Sequence, residues 1–504
     1  MLKFALFAIS FFYAILCIYP RQSYGENMFL NNSVNQSQIE ERIRLVENGL
    51  LPAIAIAGLP VSKTTLDQQM KQYGVPAVSI AVINDEEIEW AKSYGVLEAK
   101  SNRAAHISSL FQAGSVSKPV AAFGVLSLVQ NKTIDLNEDV NRRLISWKVP
   151  ENEYTELQKV SLKHLLSHTS GFNVIGFDGY RQNEKVPLLM DMLNGSSPAN
   201  NPLMKVEFKP GERMSYSGGG YTVMQQLVED TTNVSFADFM DSSVFQSLEM
   251  SRSTMSYPLP PYLSKDAAFA HPANGLPMEG GYKTYPESAA AGLWSTPIDI
   301  SKWLVHIQDS LSDDHQSPIL TKETLQLMLT HHIAPYGLGP VVNGDGKNID
   351  FSHKGRTDGF ACGFVAFPFL GKGVVVMINS DNGSCLVDEI IRGVSEAYEW
   401  PSYKTSLRKE ISISKKDLKE CPGRYGTGEE ENDIYDVVVS EESGELFIRF
   451  GHASIPYKLH KAEENKFFLI ETGFEVLFYE EDGTTKKLVV VIHAGFDRSF
   501  NKFE

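Results

Sequence analysis

Ser115 and Lys118 stand three residues apart and are of types that could do chemistry together. Pro119 and the apolar residues after it predict a helix that begins at Ser115, and side chains three apart lie on one face of a helix. A serine hydroxyl is a weak nucleophile until a base takes its proton, and a lysine whose pKa is lowered by burial can be that base. The pair therefore predicts nucleophilic acyl chemistry, favoured further by the positive end of the helix dipole. The same spacing recurs at Ser406/Lys409, Ser412/Lys415 and Ser499/Lys502.

Two later segments carry residue types that suit the same reaction. Tyr216 lies in Tyr216–Gly218, and a phenol near a lysine can pass a proton between nucleophile and leaving group. His353 opens the run His353–Arg356 on a predicted strand, where a glycine lets backbone and substrate approach closely. Such a strand can line one wall of a cleft and offer a backbone N–H to an oxyanion, with the Ser115 N–H as the other donor. The simpler interpretations are a packing aromatic for Tyr216 and a hydrogen-bonded strand histidine for His353.

The three segments, in this order, resemble the SxxK, YxN and KTG/HxG motifs of the serine β-lactamase and penicillin-binding protein superfamily. The blocks Leu162–Gly171 and Gly292–Asp299 match as well, and the chain is most similar to the class C β-lactamase-like branch, which includes DD-carboxypeptidases and esterases. The resemblance covers Thr65 to Trp400 and implies an α+β fold, in which an antiparallel sheet carries helices and a helical subdomain. Residues 421–504 resemble the small lipocalin-like β domain appended to many such hydrolases, which implies an antiparallel barrel.

The resemblance also implies a role for each motif residue. Ser115 would be the acylated nucleophile and Lys118 its general base. Tyr216 would relay a proton to the leaving group, and His353 would be the polar group on the cleft strand. The backbone N–H groups of Ser115 and Arg356 would bind the oxyanion, with Gly355 and Gly218 beside the substrate.

Two positions depart from the family pattern. Gly218 stands where β-lactamases and transpeptidases usually carry an amide-gripping Asn, and His353 replaces a carboxylate-binding Lys. The expected activity is therefore that of an acyl-enzyme hydrolase on a peptide, ester or amide, with esterase or peptidase action favoured over β-lactam hydrolysis. The alternative is a non-catalytic penicillin-binding or scaffold protein that keeps the fold.

Apolar patterning predicts the elements that must position these residues. An amphipathic helix is expected within Ile39–Ile56, and Asn84-Asp85 suggests a hairpin turn between two strands. The strands expected in the body are Val75–Ile83, Glu87–Ser93, Asp350–His353, Phe360–Phe367 and Gly373–Ile378. Those expected in the C-terminal part are Tyr435–Val439, Leu446–Phe450, Tyr457–His460, Phe467–Ile470, Glu475–Tyr479 and Leu488–Ile492.

The 504 residues suffice for two or three domains. The apolar run of residues 4–19 after Lys3 predicts a signal peptide over residues 1–25, so the protein is expected to be exported, periplasmic or secreted. An uncleaved leader would instead anchor it in a membrane. The segments expected after it are an N-terminal extension 26–64, a hydrolase domain 65–400, a linker 401–420 and a β-barrel domain 421–504. The acidic run Glu429–Glu431 is interpreted as a solvated loop.

Composition limits the classes of partner and cofactor that the protein is expected to bind. A net charge of −16 opposes binding to nucleic acid, which draws its affinity from Lys and Arg. No cofactor or metal is implied: Cys362, Cys385 and Cys421 lack CxxC spacing, and His164 and His168, four apart, lack the Glu of a zinc hydrolase between them. Those histidines are expected to hold loops near the cleft, and Trp294 and Ser295 to be packing and turn residues. The expected partner is a small-molecule or peptide substrate, and the sequence leaves the oligomeric state open.

Overall fold

The computed structural model describes residues 33–312, 319–333, 335–426, 435–440, 443–450, 455–481, 484–491 and 497–502. The expected signal peptide and the acidic run Glu429–Glu431 lie outside these residues. Within them, no helix combines the length and apolar character needed to cross a membrane.

Helices and strands alternate irregularly along the chain. The α-helices are α1 Ser33–Glu47, α2 Leu66–Tyr73, α3 Ser117–Gln130, α4 Glu153–Leu157, α5 Leu162–Leu166, α6 Leu189–Asn194, α7 Gly218–Thr232, α8 Phe236–Met240, α9 Pro261–Ser264, α10 Ser288–Ala291, α11 Pro297–Leu311, α12 Lys322–Met328, α13 Ser384–Ala397 and α14 Lys415–Glu420. The strands are β1 Ile54–Ile56, β2 Ala77–Asn84, β3 Glu87–Gly95, β4 Phe111–Gln112, β5 Trp294–Ser295, β6 Val341–Asn343, β7 Asp350–Thr357, β8 Phe360–Phe367, β9 Lys372–Ile378, β10 Ser406–Arg408, β11 Gly423–Gly426, β12 Tyr435–Val439, β13 Leu446–Phe450, β14 Tyr457–Lys458, β15 His460–Glu463, β16 Lys466–Phe468, β17 Glu475–Glu481, β18 Thr484–Val491 and β19 Asp497–Lys502.

A six-stranded antiparallel sheet forms the centre of the body, in the order β3-β2-β9-β8-β7-β6. Its N-terminal hairpin turns through Asp85 and Glu86, whose φ angles of 53° and 61° are those of a two-residue turn matched to the twist of the strands. The five body strands expected from the sequence are confirmed to within a few residues at their ends. Segments that are distant in the sequence therefore pair within one sheet.

Both faces of this sheet are covered by helices. On β9, Val375 and Met377 belong to the core shared with α11, while Val374 and Val376 belong to the core shared with α1 and α13. Successive side chains of a strand point to opposite faces, so a strand covered on both faces reads as a continuous apolar run. This continuous apolar pattern is the reason that the central strands could be predicted from the sequence.

The C-terminal part is a nine-stranded antiparallel sheet in the order β14-β13-β12-β11-β19-β18-β17-β16-β15. Its two end strands, β14 and β15, follow one another in the chain and are separated only by Leu459, so the sheet nearly closes into a barrel. Aromatic pairs from non-neighbouring strands meet inside it, with ring centroids 4.2 Å apart for Tyr435 and Phe500 and 5.9 Å apart for Tyr425 and Phe478. The described interior is thus packed with side chains. Strands β11 and β19 were not predicted.

The barrel is attached to the body by hydrogen bonds as well as by apolar packing. The Arg392 guanidinium on α13 donates to the carbonyls of Leu51 and Glu471, at 2.9 and 3.0 Å. The Ile54 N–H donates to the Ile470 carbonyl at 3.0 Å. The segment 401–420, expected as a linker, contains β10 and α14, and β10 pairs in parallel with β1.

The helix expected within Ile39–Ile56 is wrong in its C-terminal half. Helix α1 begins at Ser33 and ends at Glu47, and Ile54–Ile56 forms β1 instead. Gly49 and Pro52 interrupt the apolar pattern at this point, and each disfavours a continuing helix. Ile54 and Ala55 beyond them are buried in a strand that pairs with β10, a contact too distant in the chain to be read from local periodicity.

Candidate active site

Ser115 lies in a short 3₁₀ turn, Gly114–Val116, that connects β4 to α3. The predicted helix start is therefore displaced by two residues, because the α-helix begins at Ser117. The Ser117 hydroxyl donates back to the Gly114 carbonyl at 2.6 Å and accepts from the Leu293 N–H at 3.0 Å. Side-chain hydrogen bonds thus fix the turn that presents Ser115.

Strand β7 runs beside this turn at a distance that only glycine permits. A Cβ added at Gly355 would lie 1.9 Å from the Ala113 carbonyl oxygen and 3.0 Å from the Ser115 nitrogen. A Cβ at Gly114, whose φ is +51°, would lie 2.6 Å from the Arg356 nitrogen. The two backbone nitrogens that sequence analysis assigned to an oxyanion, those of Ser115 and Arg356, are consequently brought to the same place.

Lys118 points at Ser115 from the first turn of α3. Its Nζ lies 2.9 Å from the Ser115 Oγ and donates to the Ala290 carbonyl on α10 at 2.8 Å. Burial lowers the pKa of Lys118 from 10.5 to about 7, and the nearby Glu287 carboxyl opposes that shift. At neutral pH a large share of this amine is therefore uncharged and able to accept a proton.

Tyr216 completes the group around the Ser115 hydroxyl. Its ring centroid lies 4.9 Å from the Lys118 Nζ, and its phenol hydrogen-bonds the Ser115 side chain. Burial raises the pKa of this phenol, and the hydrogen bond to Ser115 opposes the rise. The phenol thus stays protonated and can pass a proton on while remaining neutral.

His353 on β7 is buried, and its ring centroid lies 6.2 Å from that of Tyr216. Its Nδ1 lies 2.6 Å from the Lys354 carbonyl, an acceptor, so Nδ1 carries the proton and Nε2 presents a lone pair. Burial, with a smaller contribution from Lys118, lowers the pKa of His353 to about 3. The imidazole is therefore neutral, and its Nε2 is buried with no hydrogen-bond partner among the described residues.

His168 lies directly behind Tyr216. Its ring centroid is 4.3 Å from that of Tyr216, and its Nδ1 accepts the Ser217 N–H at 3.1 Å. Tyr336, which sequence analysis missed, packs its ring edge-on against His168 at 4.8 Å. His164 has a different role, because its Nδ1 accepts the Ser161 N–H at the start of α5. Both histidines hold loops, and only His168 touches the candidate site.

Gly218, at the start of α7, has no room for the Asn of the family pattern. A Cβ there would lie 2.9 Å from the Ile175 carbonyl oxygen and 2.9 Å from Cε2 of Phe177. The Phe177 ring edge occupies the space into which a side chain at this position would extend. The loop that carries Ile175 and Phe177 thus fills the space that the Asn side chain of the family pattern would need at position 218.

Glu287 is the other residue near the site that sequence analysis missed. It is fully buried, and neither carboxyl oxygen has a hydrogen-bond partner among the described residues. Trp294 and Ser295, expected as packing and turn residues, form strand β5, which pairs with β4 just before Ser115. Among the described residues, no group of three or more His, Cys, Asp or Glu side chains could hold a metal ion.

The chain is similar in sequence to several known proteins. Protein flp of Staphylococcus aureus (strain MW2) is 22% identical over 329 residues, which cover 63% of this chain and 62% of that protein. The chain thus spans less than two thirds of the length of that relative. Penicillin-binding protein 4* of Bacillus subtilis (strain 168) is 30% identical over 161 residues, 32% of this chain and 33% of that protein.

The fold comparison covers more of the chain. The octameric penicillin-binding protein homologue from Pyrococcus abyssi superposes with a TM-score of 0.58 at 20% identity, over 86% of this chain and 98% of that one. The expected β-lactamase/transpeptidase-like fold is therefore confirmed. A family model described as Beta-lactamase matches residues 63–395, which is well over half of the sequence. The chain belongs to the Beta-lactamase family.

Proposed function

We propose that this protein is a serine hydrolase that cleaves an ester, peptide or amide through an acyl-enzyme in which Ser115 is the acylated residue. The observation that carries the proposal is the 2.9 Å contact between the Lys118 Nζ and the Ser115 Oγ, made by an amine whose pKa burial lowers to about 7. A buried amine in that state is the base that a serine nucleophile requires.

Acylation follows from the positions of these groups. The Ser115 Oγ attacks the substrate carbonyl carbon while its proton moves to the Lys118 Nζ. The carbonyl oxygen becomes an oxyanion, for which the backbone N–H groups of Ser115 and Arg356 are the proposed donors. The tetrahedral intermediate then collapses, the bond to the leaving group breaks, and the leaving group takes the proton from Lys118 through the Tyr216 phenol.

Deacylation uses the same groups in reverse. Water attacks the acyl carbon and gives its proton to Lys118, and the bond between that carbon and the Ser115 Oγ breaks. The proton returns to the Ser115 Oγ, which restores the resting enzyme. The balanced outcome is hydrolysis of one acyl bond.

Two features favour an ester or peptide over a β-lactam. Gly218 has no side chain to grip a substrate amide, and the Phe177 ring lies where such a side chain would begin. The neutral His353 lacks the positive charge with which a lysine at this position would bind a carboxylate.

The test replaces the nucleophile. Ser115→Ala is expected to lose at least about 10³-fold in kcat/KM for a small activated ester, because the alanine side chain has no hydroxyl to be acylated. Ser406→Ala is the matched control, since Ser406 has the same three-residue spacing to a lysine but lies exposed on β10. Equal turnover by wild type and Ser115→Ala contradicts the proposal.

Intact-mass spectrometry separates the enzyme from a binding protein. After treatment with a fluorophosphonate, wild type should gain one adduct that Ser115→Ala lacks. A penicillin adduct that persists without ester turnover would instead support the non-catalytic penicillin-binding alternative.

Export is proposed on the sequence of residues 1–25 alone. Expression in a bacterial host should yield a protein outside the cytoplasm whose N-terminus lies near Glu26. A full-length protein retained in the membrane fraction would indicate an uncleaved anchor.

A further inference from the structure

The fully buried Glu287 requires a physical explanation. Neither of its carboxyl oxygens has a hydrogen-bond partner among the described residues. Burying a carboxylate without a partner costs several kcal/mol, so such a group either takes up a proton or lies near a cation. The Glu287 carboxyl is therefore expected to interact electrostatically with another ionisable group.

The backbone places Glu287 beside the candidate base. Its own carbonyl accepts the N–H groups of Ala290 and Ala291, which forms the short helix α10. The Ala290 carbonyl of that helix is the second acceptor of the Lys118 Nζ, at 2.8 Å. Lys118 and Glu287 thus belong to one hydrogen-bonded unit.

Gln225 on α7 fixes this unit from the other side. Its amide nitrogen donates to the Pro286 carbonyl at 3.2 Å, and its amide oxygen accepts the Ala289 N–H at 3.1 Å. These bonds hold the backbone on both sides of Glu287. The backbone that carries the Glu287 carboxyl is therefore tied to α7 as well as being part of the turn that forms α10.

The other ionisable groups near Glu287 do not neutralise it. The Tyr180 hydroxyl donates to Asn200, and the Tyr285 hydroxyl accepts the Asp358 N–H. The titratable groups near Glu287 are Tyr180, Tyr257 and Tyr285, and Glu229 lies near Tyr257. The titratable groups near Lys118 are His168, Tyr216, Tyr221 and His353. Lys118 is the cation among them, and each group shifts the pKa of the other.

We propose that Glu287 is a positioning residue whose buried carboxyl is electrostatically coupled to Lys118 across helix α10, and so helps to set the pH at which the lysine amine is free to accept the Ser115 proton. This inference rests on the proposed function for its catalytic consequence but not for the coupling itself. Burial raises the pKa of the Glu287 carboxyl and lowers that of Lys118, while each group favours the charged form of the other, so the protons of the pair are expected to be released in coupled steps.

The coupling is tested reciprocally by NMR on protein labelled with ¹³C at the lysine Cε and glutamate Cδ positions. Glu287→Gln should lower the titration midpoint of Lys118 by about one pH unit or more, since an opposite charge is removed. Lys118→Met should raise the midpoint of Glu287, and by linkage the two shifts should be equal. Signals are assigned as those lost in each variant.

Glu389→Gln is the control. Glu389 is a second buried carboxyl, but it lies on α13 and accepts hydrogen bonds from the Tyr73 hydroxyl at 2.7 Å and the Gln69 amide at 2.6 Å. This variant should leave both midpoints in place. A Glu287→Gln protein with an unchanged Lys118 midpoint overturns the proposal. If Glu287→Gln does not fold, the Lys118→Met arm decides alone: an unchanged Glu287 midpoint then overturns it.

Activity provides a separate measurement. The acidic limb of kcat/KM should move to lower pH in Glu287→Gln by the same amount as the NMR midpoint, with KM nearly unchanged, and Glu287→Asp should restore part of the shift. A purely structural role would lower activity at every pH alike. If wild type hydrolyses no ester, the proposed function fails, but the NMR midpoints still decide whether Glu287 and Lys118 are coupled.

Discussion

At the scale of single residues, burial affects the protonation states of the site residues more than charge pairing does. Lys118 and His353 are both buried, and burial is the largest cause of the lowered pKa of each. A buried amine and a buried imidazole are thereby kept available as neutral groups at neutral pH. The motif spacing predicts which residues meet, whereas the protonation state depends on surroundings that come from the rest of the chain.

The pH dependence of turnover follows from Lys118. The protonated amine cannot accept the Ser115 proton, so kcat/KM for an ester should fall about tenfold per pH unit below pH about 7. His353 should contribute no limb in this range, because its pKa is about 3. A rate profile between pH 5 and 9 checks this, and a profile flat down to pH 5 would contradict the role of Lys118 as base.

Glu287 and Tyr336 show why part of the site escaped the sequence analysis. Each is one acid or one aromatic among many in the sequence, with no motif spacing to mark it. Glu287 became conspicuous only through its complete burial without a hydrogen-bond partner among the described residues. Tyr336 reaches His168 from a segment more than a hundred residues away. Burial and contact of this kind are set by tertiary packing.

At the scale of elements, the site depends on how closely β7 approaches the turn that carries Ser115. That approach occurs where Gly355 faces the Ala113 carbonyl. Strands β8 and β9, which lie in the centre of the sheet, were predicted almost to the residue because both of their faces are buried. The pairing of β1 with β10 was not predicted, because the two strands lie far apart in the sequence.

Gly355→Ala should disrupt this approach. The added Cβ would meet a backbone oxygen at 1.9 Å, so β7 must move away from the turn. We expect a loss of stability of about 1–3 kcal/mol and a fall in kcat/KM of about 10²-fold or more, as the Arg356 N–H is displaced. Thermal denaturation and ester hydrolysis measure the two effects.

Gly176→Ala is the matched substitution for stability, because a Cβ there meets no atom within 4 Å. Its melting temperature should equal that of wild type. A Gly355→Ala protein as stable and as active as wild type would show that β7 does not need this contact distance.

At the scale of the whole molecule, body and barrel share one apolar core. The cluster that includes Val376 on β9 and Leu386 on α13 continues through Tyr457 into the barrel residues Ile448 and Phe478. The Tyr457 hydroxyl also contacts the Cys385 Sγ at 3.2 Å. The barrel is therefore expected to unfold together with the body rather than as an independent module.

Arg392→Ala tests that attachment. The substitution leaves the Leu51 and Glu471 carbonyls without their guanidinium donor, which should cost about 1–3 kcal/mol of stability. Protease cleavage within residues 401–420 should become faster, while kcat/KM changes less than about twofold.

Lys416→Ala serves as the surface control, because it removes only exposed ion pairs with Glu420 and Glu480. Its unfolding and its proteolysis should match those of wild type. Equal protease resistance of Arg392→Ala and wild type would indicate that packing alone holds the barrel.

The near closure of the barrel also bears on self-association. A strand at the edge of an open sheet exposes unpaired backbone groups that can recruit a strand from another molecule. In the described part of the barrel, the two end strands β14 and β15 are joined through the single residue Leu459, which leaves little edge for such recruitment. The C-terminal domain can therefore be carried at high concentration with little tendency to polymerise through its strands.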